Sequence, residues 1–267
     1  MPSQPNWFSE SLARGLTVIR AFGHEAARLR ITEVSERTGL TRAAARRFLF
    51  TLRELGYLAS EGDYFFLRPR VLDLGYAYIS AARIEVHVEP ILKDLADKTR
   101  TSAHFAVLDD DSTLFVASIY DEKMHGFFIA VGARRPAYAG SLGKCLLSGL
   151  SPEAFEEFLT RVERTQRTPT TLVSAQSLER EVAKVRKQGY AINNGEFISG
   201  VVGIAVPVRD REGRVAAAIN INWFSPKPIA KPDLDQHLPS LLAAAREIEA
   251  RLIVGGMRPG FDTPGRG

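Results

Sequence analysis

Residues 31–55 read ITEVSERTGLTRAAARRFLFTLREL, and this stretch decides how the first part of the chain folds. Thr32 is a suitable N-cap for a short helix that ends at Gly39, and Thr41 is a suitable N-cap for a longer helix that runs to the end of the stretch. Only three residues, 39–41, separate the two helices. A short helix, a three-residue turn and a longer helix are the order of a helix-turn-helix.

The flanking residues extend this pattern on both sides. Apolar residues at helical spacing predict a first helix over Ser11–Gly23. After the longer helix, Tyr57–Ala59 and Tyr64–Leu67 have the composition of two short strands around a turn. The complete order predicts a winged helix-turn-helix.

The longer helix carries arginines on the face opposite its predicted core. Projected at 100° per residue, its buried stripe is predicted to be Ala44, Phe48, Leu52 and Leu55. Arg42, Arg46 and Arg53 project the other way. Small residues let a helix approach the DNA groove and arginines reach bases and phosphates, so this face is typical of DNA recognition. The predicted DNA-binding residues are Thr41, Arg42, Ala43, Arg46 and Arg47. The alternative is a surface helix that its arginines merely solvate; the sequence gives no account of Phe50 on the same face.

Composition and charge agree with a nucleic-acid partner. The chain has 267 residues and a net charge of +4, and residues 1–80 hold eleven arginines, no lysine and eight acidic residues. Arginine pairs bidentately with phosphates and guanine edges. The chain has one cysteine, which excludes an intramolecular disulfide and a cysteine-rich zinc cage. The first ten residues lack the features of a signal peptide, and no apolar run is long enough to cross a membrane, so we expect a cytoplasmic protein with no membrane partner.

The remainder of the chain alternates short strands with helices and predicts an α+β domain with an antiparallel sheet. Its predicted strands are His104–Leu108, Thr113–Tyr120, Phe127–Val131, Ala191–Asn193, Val201–Val208 and Arg214–Asn222. Its main predicted helices are Glu85–Lys98, Ser141–Leu150, Leu178–Lys187 and Pro232–Ile253. The glycine- and proline-rich tail after residue 254 is expected to be disordered.

Nothing in this larger part favours catalysis or a bound cofactor. The five histidines are scattered without metal-ligand spacing, and Gly140–Lys144 lacks the spacing of a P-loop. Ser141 or Cys145 would be the nucleophile of an enzyme, but no base accompanies either in the sequence pattern. We therefore expect no enzyme activity, no catalytic residue, no metal and no cofactor, and keep an enzyme using Ser141 or Cys145 as the alternative.

A ligand site is the stronger prediction. Asn220 and Asn222 share one face of an otherwise apolar strand, where buried carboxamides need partners in the protein or in a ligand. The N-terminus of the helix at Ser141 offers free N–H groups to an anion, and Arg134 lies a few residues upstream. We expect an anion at that helix terminus. The alternatives are asparagines satisfied by a neighbouring loop and an Arg134 that only contacts solvent.

The helix-turn-helix and the stretch Gly189–Asp210 together resemble the IclR family of bacterial transcriptional regulators. The family's C-terminal signature is matched by Gly189, Glu196, Ile204, Ala205, Val208 and Asp210. The sequence departs from it at Asn193, where Asp or Ser is usual, at Gly203 and at Arg209. Residues 40–49, 69–76 and 136–138 are most similar to the branch that regulates protocatechuate, 4-hydroxybenzoate and related β-ketoadipate-pathway genes.

The resemblance implies a winged helix-turn-helix, a linker helix used in dimerisation and a GAF-like effector domain. The corresponding domain boundaries are 9–69, 70–84 and 85–254, with a tail over 255–267. Carried over by position, the effector pocket is lined by Ala137, Tyr138, Ser141, Leu142, Cys145, Asn193, Val201, Gly203, Asn220 and Asn222. A neutral amide at residue 193 in place of an acid favours an anionic effector.

The predicted function is an operator-binding transcriptional regulator that controls catabolic genes and senses a small, aromatic carboxylate. The predicted partners are double-stranded operator DNA, the effector and a second copy of the chain, as a homodimer or a dimer of dimers; RNA polymerase is a candidate contact. Besides the enzyme, a DNA-binding dimer without any effector is a further alternative.

Overall fold

A computed structural model of the chain describes residues 6–23, 26–81, 83–121 and 128–254, without the side chains of residues 85, 253 and 254. It divides the chain into two compact units, with the division between Tyr78 and Ile79. The predicted disordered tail, 255–267, lies outside the described residues. None of the described helices is long and apolar enough to cross a membrane.

The first unit is three helices followed by a two-stranded antiparallel hairpin. Its elements are α1 (Glu10–Arg20), α2 (Ile31–Thr38), α3 (Arg42–Glu54), β1 (Leu58–Glu61) and β2 (Tyr64–Leu67). Between α1 and α2, Leu29 forms a bridge to Phe65 of β2. The small core draws on all five elements. This is the predicted winged helix-turn-helix.

The helix starts show which sequence signals were correct. The Thr41 hydroxyl caps α3 by accepting the Ala44 N–H (3.2 Å), as predicted. Helix α1 starts one residue earlier than predicted, and its N-cap is Ser9. Helix α2 starts after Arg30 rather than Thr32, because the Glu33 carboxylate turns back to accept the Arg30 N–H (2.7 Å).

The predicted core stripe of α3 was right at Leu52 and wrong elsewhere, since Ala44 and Phe48 are only partly buried and Leu55 is exposed. The structure buries Ala45, Leu49 and Leu52, while Leu55 is 53% exposed. Because α3 is apolar at residues 44, 45, 48, 49 and 50, two stripes satisfy helical spacing about equally. The packing of α1, α2 and the hairpin selects between them, and a projection of α3 alone lacks that information.

A helix follows the hairpin. After a 3₁₀ turn, Pro69–Val71, helix α4 spans Leu72–Ala81, and none of its residues is buried. Leu72, Leu74 and Tyr76 are large apolar side chains that it leaves exposed.

The second unit is built on a six-stranded antiparallel sheet in the order β5-β4-β3-β8-β7-β6. Its strands are β3 (Ser102–Asp109), β4 (Ser112–Ile119), β5 (Arg134–Pro136), β6 (Ala191–Asn194), β7 (Val201–Arg209) and β8 (Val215–Phe224). Its helices are α5 (Ile84–His87), α6 (Glu89–Thr99), α7 (Ser141–Ser148), α8 (Pro152–Arg161), α9 (Ala175–Gln188) and α10 (Lys231–Val254). Strands and helices alternate as the sequence predicts, so the unit is an α+β fold.

Helix α7 lies against the sheet, where it contacts β7 and β8, and α9 packs against α7. The first turn of α7 comes so close to the segment before it that a Cβ on Gly143 would stand 1.9 Å from the Ala137 carbonyl oxygen. Only glycine fits this crossing. Helices α6 and α10 contact each other and also pack on the sheet, at β3 and β4 and at β7 and β8 respectively.

The predicted strand at Phe127–Val131 was wrong in its described part, since Phe128–Val131 lies outside any strand. The edge strand is β5, which pairs Arg135 with Thr113 of β4. It is three residues long and carries two arginines and a proline, so it has none of the apolar alternation that marks a strand.

Candidate functional site

The first candidate site is the outward face of α3. Thr41, Arg42, Ala43, Arg46 and Arg47 are all exposed. Arg42 and Arg46, like Ala43 and Arg47, are four residues apart, and residues at that spacing lie on the same side of a helix. The structure therefore brings the five predicted DNA-binding residues together.

The hairpin explains Phe50 and Arg53, which a projection of α3 alone assigned to the polar face. The Phe50 ring meets Phe65 of β2 edge-on, with centroids 5.6 Å apart. The guanidinium groups of Arg46 and Arg53 lie 5.0 and 4.4 Å from the centre of the Phe50 ring. Arg53 also donates to the Ser60 hydroxyl (3.3 Å) and pairs with Glu54. Phe50 therefore packs the hairpin against α3, and Arg53 contacts residues of this packing region.

The second candidate site is a cavity in the second unit, partly open to solvent. Strand β4, the segment before α7, the first turn of α7, the loop between β6 and β7, and β8 all contribute to its wall. The lining residues are Thr113, Phe115, Ile129, Arg135, Ala139, Gly140, Ser141, Leu142, Gly143, Asn193, Phe197, Ile198, Val201, Asn220 and Asn222. Its mixture of apolar surface with a few polar groups is typical of a small-molecule site.

The floor of the cavity contains a polar row that crosses the sheet. In the strand register, Asn193 is opposite Gly203, and Gly203 is opposite Asn222. A Cβ at Gly203 would meet the Ile221 carbonyl oxygen at 2.6 Å and the Asn222 Cβ at 3.1 Å. Glycine at this position, a departure from the usual family residues, therefore leaves room for the asparagine on either side.

Asn220 and Asn222 are both more than nine-tenths buried. Their Oδ1 atoms have no hydrogen-bond partner among the described residues. A buried carbonyl oxygen without a donor costs about 1–3 kcal/mol. These two acceptors line the cavity, so a ligand that donates hydrogen bonds there would satisfy them.

Directly opposite Asn220 on β3 lies His104, which is fully buried. Burial lowers its pKa to about 4, and the polar contact between the imidazole and the Asn222 side chain counteracts this shift only in part. Its Nε2, like the two Oδ1 atoms, has no hydrogen-bond partner of normal geometry among the described residues. The imidazole is therefore neutral at pH 7, and its Nδ1 forms a hydrogen bond with the Ser118 hydroxyl (3.0 Å). The histidine therefore adds no positive charge to the part of the sheet next to the two asparagines.

Asn193 has a different role from the other two asparagines. Its Nδ2 donates to the Val201 carbonyl (2.9 Å) and its Oδ1 accepts the Glu196 N–H (2.9 Å), so it ties the two ends of the β6–β7 loop together. An aspartate in this position would have no hydrogen to donate to Val201. The amide is therefore a structural requirement of this loop conformation.

A buried ion pair fixes the same loop to α7. Lys144 and Glu196 pair with almost no exposure, and the Lys144 ammonium also donates to the Ile192 carbonyl (2.6 Å). Burial raises the pKa of Glu196, although the charge of Lys144 and its hydrogen bond oppose that shift. The first turn of α7, where the sequence predicts the anion of a ligand, thus already pairs with a carboxylate of the protein through Lys144.

Six of the predicted effector-binding residues line the cavity, and five do not. The lining residues are Ser141, Leu142, Asn193, Val201, Asn220 and Asn222. The others are Arg134, Ala137, Tyr138, Cys145 and Gly203. Ala137 packs under Gly143, and Gly203 lies beneath the polar row. The Tyr138 hydroxyl points instead towards the backbone of Thr165, donating to its carbonyl and accepting its N–H, both at 3.1 Å.

Two of these five had been given a chemical role. Cys145 is fully buried in the apolar cluster under α7, and burial raises its pKa to about 12, which leaves no thiolate at neutral pH. Arg134 is exposed and forms an ion pair with Asp109. The arginine that lines the cavity is its neighbour, Arg135. In a strand, adjacent residues point to opposite sides, so the choice between the two depends on the orientation of β5, which the sequence did not reveal.

Sequence analysis missed several lining residues, notably Thr113, Phe115, Arg135, Phe197 and Ile198. Phe115 and Thr113 lie two apart on β4, and period two would have placed them on one face. Phe197 and Ile198 lie in a loop within the family signature, but no periodicity there marks which side chains turn inward.

Comparisons with known proteins agree with this arrangement. Residues 11–62 match the IclR helix-turn-helix domain, and residues 76–250 match the C-terminal domain of bacterial transcriptional regulators of the IclR type. The chain belongs to the IclR family of bacterial transcriptional regulators. Members of this family are DNA-binding transcriptional regulators rather than enzymes, so the enzyme alternative is wrong.

Relatives that are similar over most of the chain indicate its branch within the IclR family. It is 38% identical over 243 residues to the Pca regulon regulatory protein of Pseudomonas putida, covering 90% of this chain and 83% of that one. It is 34% identical over 242 residues to the p-hydroxybenzoate hydroxylase transcriptional activator of Acinetobacter baylyi, covering 89% of both. The resemblance to this branch is confirmed.

Solved structures of IclR regulators have the same fold. A Rhodococcus sp. RHA1 protein described as a transcriptional regulator has a TM-score of 0.78 at 36% identity, covering 92% of this chain and 98% of that one. An IclR homolog from Microbacterium hydrocarbonoxydans, crystallised in complex with 4-hydroxybenzoate, has a TM-score of 0.79 at 25% identity. That match covers 91% of this chain and 99% of the homolog.

Proposed function

We propose that this IclR regulator binds operator DNA through α3 and senses a small aromatic carboxylic acid with a ring hydroxyl in the cavity of its second unit. The observation that carries the proposal is the pair of buried asparagines, Asn220 and Asn222, which line the cavity and whose Oδ1 atoms have no hydrogen-bond partner among the described residues. A ring hydroxyl supplies the missing donor. The apolar side chains of Phe115, Ile129 and Leu142 supply surface for the ring.

The relatives support the aromatic class of effector. Two of them are named for the pca genes or for p-hydroxybenzoate hydroxylase, and a homolog of the same fold binds 4-hydroxybenzoate. By this analogy, the regulated genes belong to the catabolism of aromatic acids. The departure at Asn193 adds no negative charge to the cavity wall, which agrees with an anionic effector.

The DNA-binding part of the proposal assigns roles along α3. Arg42 and Arg46 read base edges, Arg47 contacts phosphate, Ala43 permits close approach, and the Thr41 hydroxyl caps the helix beside the backbone. An exposed and contiguous surface supports these roles. The three-part organisation at 9–69, 70–84 and 85–254 remains our proposal, with the cytoplasm as the compartment.

The proposal includes a homodimer or a dimer of dimers on a palindromic operator. The exposed apolar side chains of α4, Leu72, Leu74 and Tyr76, support a role for this linker helix in dimerisation. Contact with RNA polymerase stays a candidate extension of this assembly.

Titration calorimetry on the full chain tests the effector class. The compounds are 4-hydroxybenzoate, protocatechuate, benzoate and, as an aliphatic control, succinate. We expect binding of the two hydroxylated acids, weaker binding of benzoate and none of succinate. Equal binding of succinate and 4-hydroxybenzoate would contradict an aromatic site. If none of the acids binds and none shifts the melting temperature, the chain is a DNA-binding dimer without this effector.

A further inference from the structure

The cavity has one charged residue in its wall. Of the fifteen described residues that line it, Arg135 alone carries a formal charge, and none is acidic. Arg135 is half-buried, and its Nε is buried without a hydrogen-bond partner among the described residues. An arginine with no acidic partner at a cavity wall can donate hydrogen bonds to a carboxylate.

A second guanidinium group increases the local positive charge. Arg135 and Arg167 both stack on Phe197, with 4.5 and 4.9 Å between each guanidinium carbon and the ring centre. Burial and the charge of Arg167 together lower the pKa of Arg135. Neither arginine forms an ion pair within 4 Å with an acidic residue of the described chain, although Asp111 and Glu163 line a shallow outer groove with both. Two like charges this close, without an anion, are electrostatically unfavourable, and a bound carboxylate would relieve their repulsion.

Other exposed arginines of this unit are paired with acidic residues. Arg134 pairs with Asp109, and Arg161 pairs with Asp111. Each of these exposed arginines thus has its own carboxylate, although Arg134 is next to Arg135 in the sequence. The charge that lacks a partner is the one at the cavity wall.

The strand order separates this charge from the buried acceptors. Arg135 is on β5 at the edge of the sheet, while Asn220 and Asn222 are on β8, three strand spacings away. At ~4.8 Å per spacing, the two backbones are about 14 Å apart. An arginine side chain and a substituted benzene ring placed end to end are suited to bridge this separation.

Resting on the proposed function, we propose that Arg135 is the carboxylate-binding residue of the effector site, and that Arg167, across Phe197, is a second guanidinium that strengthens it. The effector then lies with its carboxylate towards β5 and its hydroxyl towards β8. The first turn of α7, whose Lys144 is already paired with Glu196, contributes N–H groups but is not the main anion site.

The test compares an acid with its neutral amide. Affinities of 4-hydroxybenzoate and 4-hydroxybenzamide are measured by calorimetry on the full-length wild type and on R135Q, R135K, R167Q and R134Q. R134Q is the matched control, because it removes an adjacent arginine that is paired and outside the lining. Thermal unfolding of each variant verifies that it is folded.

We expect wild type and R134Q to bind the acid roughly 10- to 100-fold more tightly than the amide, the usual gain from a hydrogen-bonded charge. R135Q should lose this preference, while R135K and R167Q should retain part of it. The inference is overturned if R135Q keeps the wild-type preference, or if R134Q loses as much as R135Q. Binding of neither compound to the wild type would instead overturn the proposed function, and this inference with it. If R135Q does not fold, the result for R135K is used instead. A lysine ammonium cannot bind a carboxylate bidentately as a guanidinium does, so an unchanged preference of R135K for the acid over the amide overturns a bidentate carboxylate site.

Discussion

The outward face of α3 and the cavity of the second unit are two functional surfaces built in different ways. The α3 face consists of neighbours on one helix, and all five of its predicted residues are exposed together. The cavity takes its wall from β4, β5, β8, the start of α7 and the β6–β7 loop. A site carried by one element follows from local periodicity, whereas a site assembled from distant segments depends on how those segments pack. The two surfaces should therefore respond differently to mutation.

The largest effect is expected at the support of the cavity. Lys144→Met leaves the Glu196 carboxylate buried without its partner, which should lower the free energy of unfolding by ~3–5 kcal/mol at pH 7. Since burial already raises the pKa of Glu196, the loss should shrink as the pH falls and this carboxylate takes up a proton. Urea denaturation at several pH values measures both effects.

The double variant Lys144→Met/Glu196→Gln is the control for this pair. It removes both charges, so it should recover a large part of the lost stability. A double variant that is no more stable than Lys144→Met would show that the uncompensated charge is not the cause.

At the α3 face we expect a loss of DNA binding without a loss of stability. Arg42→Ala and Arg46→Ala each remove an exposed side chain, so no core cavity forms. Each lost base contact costs ~1–3 kcal/mol, and the pair together about 4 kcal/mol of operator affinity. Gel shifts on operator and random DNA at one salt concentration measure this. Equal losses on both DNAs would mean that the two arginines contact only phosphates.

The buried histidine should make the second unit sensitive to acid. The pKa of His104 is about 4 in the folded chain and ~6.5 when unfolded, so the unfolded state binds the proton first as the pH falls. Stability from this group is complete above pH ~6.5 and is lost down to pH ~4, a total of about 3 kcal/mol. Comparing wild type with His104→Gln by urea denaturation between pH 7 and 4.5 isolates it. Parallel pH profiles would exclude this contribution.

A smaller effect, about 2 kcal/mol, is expected from the floor of the cavity. Asn222→Leu removes one acceptor, so a ring hydroxyl would be buried unpaired, at a cost of ~1–3 kcal/mol. The affinity for 4-hydroxybenzoate should fall, while operator binding by the effector-free protein stays at the wild-type level. Calorimetry and a gel shift on the same preparation test both. If Asn220→Leu and Asn222→Leu bind the acid as the wild type does, the two asparagines have a structural role only.

The fold was predictable because its signals are local. The turn at residues 39–41, the Thr41 cap and the apolar runs of β7 and β8 each depend on a few neighbouring residues. The weak strand β5 was missed because three residues with two arginines carry no pattern. Its position comes from pairing with β4, which is a contact between distant parts of the unit.

The same division applies to the functional residues. The sequence by itself determined the arginine face of α3 and the shared face of Asn220 and Asn222, since the periods of a helix and a strand are fixed by backbone geometry. Only the tertiary structure decided that Arg135 rather than Arg134 lines the cavity, that Tyr138 and Cys145 lie outside its lining, and that Lys144 of α7 is paired with Glu196. Those outcomes depend on the packing of segments tens of residues apart, and the period of a single strand or helix does not encode that packing.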